Sequence, residues 1–268
     1  MIEPVDDAPV VEVSKIPRLG IILGPGGLKT FAHIGVLKEL EKAKIPVEAI
    51  VGIEWGSLIG AFFGSSGSAN ETEWKLLKLK EDQIFDHSFF KSGNIPGSVN
   101  RLKKFLVTDL GNKRHSDFKI PFSCPTYSMN LQHVYWMDRG PILQSLRHCL
   151  PYPPIFKPTG DRVAAVDAVK GAVDLLRQQG IELVLFVDVL GEGRLMRKQE
   201  LIKSYQTGLL WINLQNYMHE VGKYVDEVIT VDTQNYGITE YSYRQVLVGA
   251  GASQGKKDAQ RLLDKYGF

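Results

Sequence analysis

Two short apolar runs, each ending in a glycine-rich turn that opens a helix, limit the fold of this chain more than anything else in it. Leu19–Leu23 leads into Gly24-Pro25-Gly26-Gly27-Leu28-Lys29-Thr30 and then into Phe31–Lys42, where Ile34, Leu37 and Leu40 recur on one face. Val47–Val51 leads into Gly52-Ile53-Glu54-Trp55-Gly56, and a small, apolar helix opens over Gly56–Gly64. A strand followed by a helix must return over the sheet before the next strand can pair in parallel. The alternation continues along the chain. Strands are expected at Pro121–Ser128, Gln132–Met137, Val163–Asp167, Glu182–Val189 and Asp226–Val231. Helices are expected at Pro141–Leu150, Val169–Gln179, about Met196–Tyr224 and Tyr241–Tyr266. Asn70 with Glu73 reads as a capping box ahead of Trp74, Leu76 and Leu77. The expected fold is α/β, with a mainly parallel sheet covered by helices on both faces.

The chain has 268 residues, 44% hydrophobic and 23% charged, which suits one large domain with a sizeable core. No apolar run approaches the roughly 20 residues that span a bilayer. A net charge of +2 names no partner, and nothing points to nucleic acid. Cys124 and Cys149 lack metal-ligand spacing and read as buried thiols in preference to a disulfide. No metal or cofactor is expected. Residues 1–14, with Pro4, Pro9 and four acids but no periodic apolar face, read as a disordered leader or tether, and residues 15–268 as the folded domain. No signal peptide is recognised in the chain as written. That reads as cytoplasmic, or as cell envelope if an export signal preceded Met1.

The first glycine loop sits where three chemistries place one. A phosphate-binding loop needs Gly directly before Lys-Thr, and Leu28 stands there. A dinucleotide loop needs a third Gly where Lys29 stands. The two remaining readings are an oxyanion hole built from backbone N–H groups of Gly26, Gly27 and Leu28, and a tight turn without a ligand. The second turn has the context of a G-x-S-x-G nucleophile elbow, with a strand before it, a helix after it and a glycine on each side. Its central residue is Glu54, not serine.

The two turns in this order resemble the patatin-like phospholipase family. The resemblance continues through Phe31–Leu37, Pro121–Ser128, Leu146–Pro151, Asp174–Gly180, Asp226–Ile229 and Tyr236–Thr239, so it spans about Leu19 to Ala252. It implies a three-layer α/β/α sandwich and a lipid acyl hydrolase that works through a Ser–Asp dyad and an acyl-enzyme. On that reading Glu54 occupies the nucleophile position and Asp167 the dyad position. Asp167 is followed by Ala168-Val169 where the family has Gly-[Gly/Ala]. Gly26 and Gly27 match oxyanion-loop glycines, while Pro25, Lys29 and Thr30 depart from the pattern.

Departures at three catalytic elements together lead to a non-catalytic protein that uses the old acyl site, or its rim, for binding or assembly. The competing reading is an active acyl-ester hydrolase with atypical residues, through Glu54 itself or through Ser57. A third is a structural homo-oligomerisation module. If Glu54 and Asp167 are adjacent, one is expected to be protonated, or the pair to be bridged by Lys29 or Lys170. Trp55 fits either a plugged pocket or plain packing, and His33 reads as a packing residue. Over 86–119, seven Lys and Arg stand against three Asp among Phe89, Phe90, Leu102, Phe105, Leu106 and Leu110. A solvated helix and loop is the leading reading, and a surface for anionic membrane the alternative. A lipid or acyl ligand is the expected small partner.

Overall fold

The computed structural model describes residues 16–85, 97–153, 155–196 and 205–268. Its strands are β1 (Leu19–Leu23), β2 (Val47–Gly52), β3 (Phe122–Ser128), β4 (His133–Met137), β5 (Arg162–Ala164), β6 (Leu183–Asp188) and β7 (Glu227–Thr230). Its helices are α1 (Phe31–Lys42), α2 (Trp55–Ser66), α3 (Ala69–Leu77), α4 (Val99–Leu110), α5 (Ile142–Cys149), α6 (Val169–Gln178), α7 (Tyr205–Met218) and α8 (Arg244–Tyr266).

The sheet runs β4-β3-β2-β1-β6-β7, with β5 also paired to β3. The five strands from β3 to β7 in that order pair in parallel. β4 and β5 are antiparallel additions to the outer part of β3. Only Phe122 and Ser123 of β3 pair with β2, which leaves the rest of that strand free to take β4 and β5.

Side chains of the central strands alternate between two cores, as the pleat requires. Leu19, Ile21 and Leu23 of β1 and Leu183, Leu185 and Val187 of β6 enter the core covered by α1, α2 and α8. Ile22, Val184 and Phe186 enter the opposite core with Val169, Val173 and Leu176 of α6 and Trp211 and Leu214 of α7. The molecule is therefore an α/β/α sandwich with a mainly parallel sheet.

On the first face, α1 and α8 pack at backbone contact. A Cβ on Gly35 would lie 2.1 Å from the Val248 carbonyl oxygen, and one on Gly251 would lie 1.9 Å from that of Ala32. Glycine at both positions sets this separation.

Three sequence expectations shift. Helix α3 is capped by Ser68, whose hydroxyl accepts from the Glu71 N–H, because the helix starts at Ala69 and not after Asn70. β5 ends at Ala164, so Asp167 lies in the turn before α6 and not in a strand. Cys124 of β3 and Cys149 at the end of α5 form a disulfide, with Cα atoms 6.0 Å apart, in place of the two expected thiols. The expected leader lies outside the described residues, as do residues 86–96 of the basic segment and 197–204 of the expected long helix. The described part of that helix is α7.

Candidate functional site at the end of β2

The chain leaves β2 at Gly52 and turns at once into α2. A Cβ on Gly52 would lie 2.4 Å from Ser57 Cα, and one on Gly56 would lie 2.3 Å from the Leu23 carbonyl oxygen. Only glycine allows the first turn of α2 to press against β1 and β2 in this way. Between the two glycines, Glu54 is held at φ 55°, ψ −127°. For a residue with a Cβ this backbone costs about 1–3 kcal/mol, and strain of that kind collects where a side chain must be aimed. The Ile53 N–H donates to Leu23 O at 3.0 Å, and the Gly56 and Ser57 N–H groups close the turn onto Ile53 O and Glu54 O. The Ser57 hydroxyl also donates to Glu54 O, at 2.5 Å, and is occupied inside the turn.

The glycine loop after β1 lies across from this turn. Gly27 has φ 56°, and a Cβ there would lie 2.5 Å from Ile238 O. The Leu28 N–H donates to that same carbonyl at 2.8 Å, so it is turned away from Glu54. The N–H groups of Gly26 and Gly27 remain, and both donate to Glu54 Oε2, at 3.2 and 2.9 Å. Two of the three loop residues singled out in the sequence thus meet Glu54.

The carboxyl group is fully buried, and its other oxygen, Oε1, has no hydrogen-bond partner among the described residues. Burial pushes the Glu54 pKa up to about 7, opposed by the N–H groups of Trp55, Gly27 and Gly26. The start of α2 adds a favourable helix-end potential for the anion. The pKa of Glu54 is therefore brought close to neutrality by its burial.

Asp167 does not join it. Its side chain is exposed, and among the described residues no hydrogen bond or ion pair links it to Glu54. Its backbone carbonyl accepts from the Tyr217 hydroxyl at 2.8 Å. The expected lysine bridge is also absent, because both lysines have other partners. Lys170 pairs with Asp174 one helical turn on, at 3.0 Å. Lys29 is fully buried and donates to Leu190 O at 3.2 Å, at the end of β6. Burial lowers its pKa to about 8, partly offset by Asp188.

Both carboxylates act on Tyr152, a residue the sequence reading did not single out. Burial pushes its hydroxyl up to about 12, and the charges of Glu54 and Asp167 add to this, so it stays protonated and can donate. Tyr152 packs edge-on against Trp211 of α7 at 5.4 Å, and the Trp211 indole N–H donates to Pro153 O at 2.6 Å. Trp55 stacks on Phe156, also at 5.4 Å. The one available signal was the proline-rich run after α5, in which Tyr152 lies.

His33 behaves as a packing residue. Its Nε2–H donates to Gly24 O at 2.8 Å, since a carbonyl can only accept, and burial pushes its pKa down to about 4. Among the described residues no group of three or more His, Cys, Asp and Glu side chains is placed to hold a metal ion. None of the described helices is long and apolar enough to cross a membrane.

A strained strand-to-helix turn facing a glycine loop in an α/β/α sandwich is an architecture of hydrolase-type folds. The family model described as patatin-like phospholipase matches residues 21–166, more than half of the chain, and the chain belongs to that family. It is 26% identical over 184 residues to patatin-like phospholipase domain-containing protein 6 of Homo sapiens, covering 64% of this chain and 13% of that protein. It is 27% identical over 126 residues to lysophospholipase NTE1 of Coccidioides immitis, covering 46% and 8%. An uncharacterized NTE family protein of Mycobacterium tuberculosis is 25% identical over 153 residues, covering 55% and 41%. The chain thus spans well under half the length of these relatives. The crystal structure of VipD from Legionella pneumophila superposes with a TM-score of 0.56 at 12% identity, over 94% of this chain and 67% of that one, which is a likeness of fold.

Proposed function

We propose that this chain is a non-catalytic patatin-like protein that keeps the acyl site for binding or assembly. The observation that carries this reading is the contact of Glu54 Oε2 with the N–H groups of Gly26 and Gly27. In an acyl hydrolase, donors so placed would hold the oxyanion of a tetrahedral intermediate, and their worth lies in being free until charge develops on the substrate. Here the side chain at the nucleophile position takes that place itself. A substrate carbonyl would have to displace a tethered, buried carboxyl group. The exposed Asp167 and the engaged Ser57 hydroxyl weigh in the same direction.

One observation favours carboxylate chemistry as the competing reading. A buried Glu54 with a pKa near 7 is tuned as a general base or nucleophile would be. Hydrolysis of short- and medium-chain fluorogenic esters separates the two. We expect the chain and Glu54→Ala to be equally silent. Activity lost in Glu54→Ala would establish carboxylate chemistry. Silence in Glu54→Ser as well would place the loss at several elements; recovery there would place it at the nucleophile alone. Lipid is the ligand class this reading favours. The exposed basic residues Lys103 and Lys104 of α4 suit an anionic membrane surface, and sedimentation with anionic against zwitterionic liposomes at low salt tests that contact.

A further inference from the structure

A second cavity lies away from Glu54, between α4 and α5. It has a volume of about 360 Å³, within the range of small-ligand pockets. Its floor is Val99, Leu106 and Leu143, and its rim carries Lys103, Arg147 and His148. Asn100 and Gln144 complete the lining, and no acidic side chain belongs to it. Among the described residues, the side chains of Lys103, Arg147 and His148 make no ion pair, although acid partners hold several lysines and arginines elsewhere on the molecule. Lys103 and Arg147 are exposed, and Asp161, the acid that acts on His148, is already paired with Arg162, so the rim of this apolar floor is positively charged and favours an anion.

We propose that this groove binds a single-chain anionic amphiphile of the fatty-acid type. The carboxylate sits among Lys103, Arg147 and His148, and the alkyl chain lies along Val99, Leu106 and Leu143. Arginine and lysine on opposite walls suit this division: Arg147 offers a planar fork to a carboxylate, and Lys103 a point charge on an apolar stem. Burial, then Arg162 and Arg147, lower the His148 pKa against the opposing charge of Asp161, so a bound anion would favour its protonation. The α5 wall is fixed, because Cys149 next to His148 is tied to β3. This proposal does not depend on whether Glu54 is catalytic.

The test is a titration of the ¹⁵N-labelled 268-residue chain with monomeric dodecanoate, below its aggregation concentration and without bilayers, followed through amide shifts. Dodecyltrimethylammonium and acetate serve as controls for tail and head alone. We expect dodecanoate to shift the amides of Lys103, Leu106, Leu143 and Arg147. The double variant Lys103→Glu, Arg147→Glu should weaken it at least tenfold with unchanged circular dichroism. Arg147→Lys, which keeps the charge, should retain most of the affinity. Equal binding of dodecyltrimethylammonium, shifts confined to Gly26 and Gly27, or affinity unchanged by charge reversal would each overturn the proposal. So would a response to anionic vesicles with none to the monomer.

Discussion

Glu54 and His33 are both buried and both displaced from their ordinary pKa values, in opposite directions and with opposite consequences for stability. The carboxyl of Glu54 titrates near 4.5 when unfolded and near 7 when folded. The folded chain keeps a proton that the unfolded chain releases, so this group's contribution is full below pH 4.5 and falls by about 3 kcal/mol as pH rises to 7. For His33, near 6.5 unfolded and about 4 folded, the unfolded chain holds the extra proton, and stability rises with pH over that window. The two slopes oppose each other between pH 4.5 and 6.5. Glu54→Gln removes one of them. Its stability relative to the parent should therefore increase by about 3 kcal/mol from pH 4.5 to 7.5, measured by urea unfolding at intermediate steps. A difference independent of pH would mean that Glu54 is not desolvated. At this scale Glu54, Gly26 and Gly27 were legible because a backbone turn announces itself in local sequence. Tyr152 and Trp211 were not, since both reach the site through packing of segments distant in the chain.

Elements were read well wherever one periodicity ruled. The parallel core strands and helices α1, α2, α6 and α8 stand close to where their patterns put them. β5 was overextended, because alternation across Val163–Asp167 does not reveal that pairing with β3 stops at Ala164. The contact of α1 with α8 was also hidden, since glycine lowers helix propensity and gives no sign of what it faces. Propensity alone would make Gly251→Ala stabilising by about 1 kcal/mol. A methyl group 1.9 Å from Ala32 O forces the helices apart instead, and we expect a net loss of about 3 kcal/mol. Gly249, two residues earlier with nothing within 4 Å of its added Cβ, provides the control, and Gly249→Ala should keep the propensity gain. Thermal melts of the two variants side by side would show it. Equal melting temperatures would mean that the close crossing is not a constraint.

For the whole molecule, the strand order and both helical layers follow from alternation of strand and helix, and the family resemblance agrees with them. The disulfide does not follow, because the approach of Cys124 to Cys149 is decided by how α5 docks on β3. With its ends 25 positions apart in the chain, the cross-link should contribute about 3 kcal/mol by restricting the unfolded chain. Cys124→Ala with Cys149→Ala should lose that amount in urea, and reduction should have no further effect on the double variant. The glycine loop depends on a still longer connection. Its Leu28 N–H is fastened to Ile238, and Gly27 fits under the same carbonyl. During synthesis, the turn at Glu54 emerges from the ribosome well before Ile238, the residue that locks its counterpart. Gly27 and Leu28 can be held in their final positions against Glu54 only after Ile238 has been made and has docked, so the site cannot close while the segment that separates them is still being synthesised.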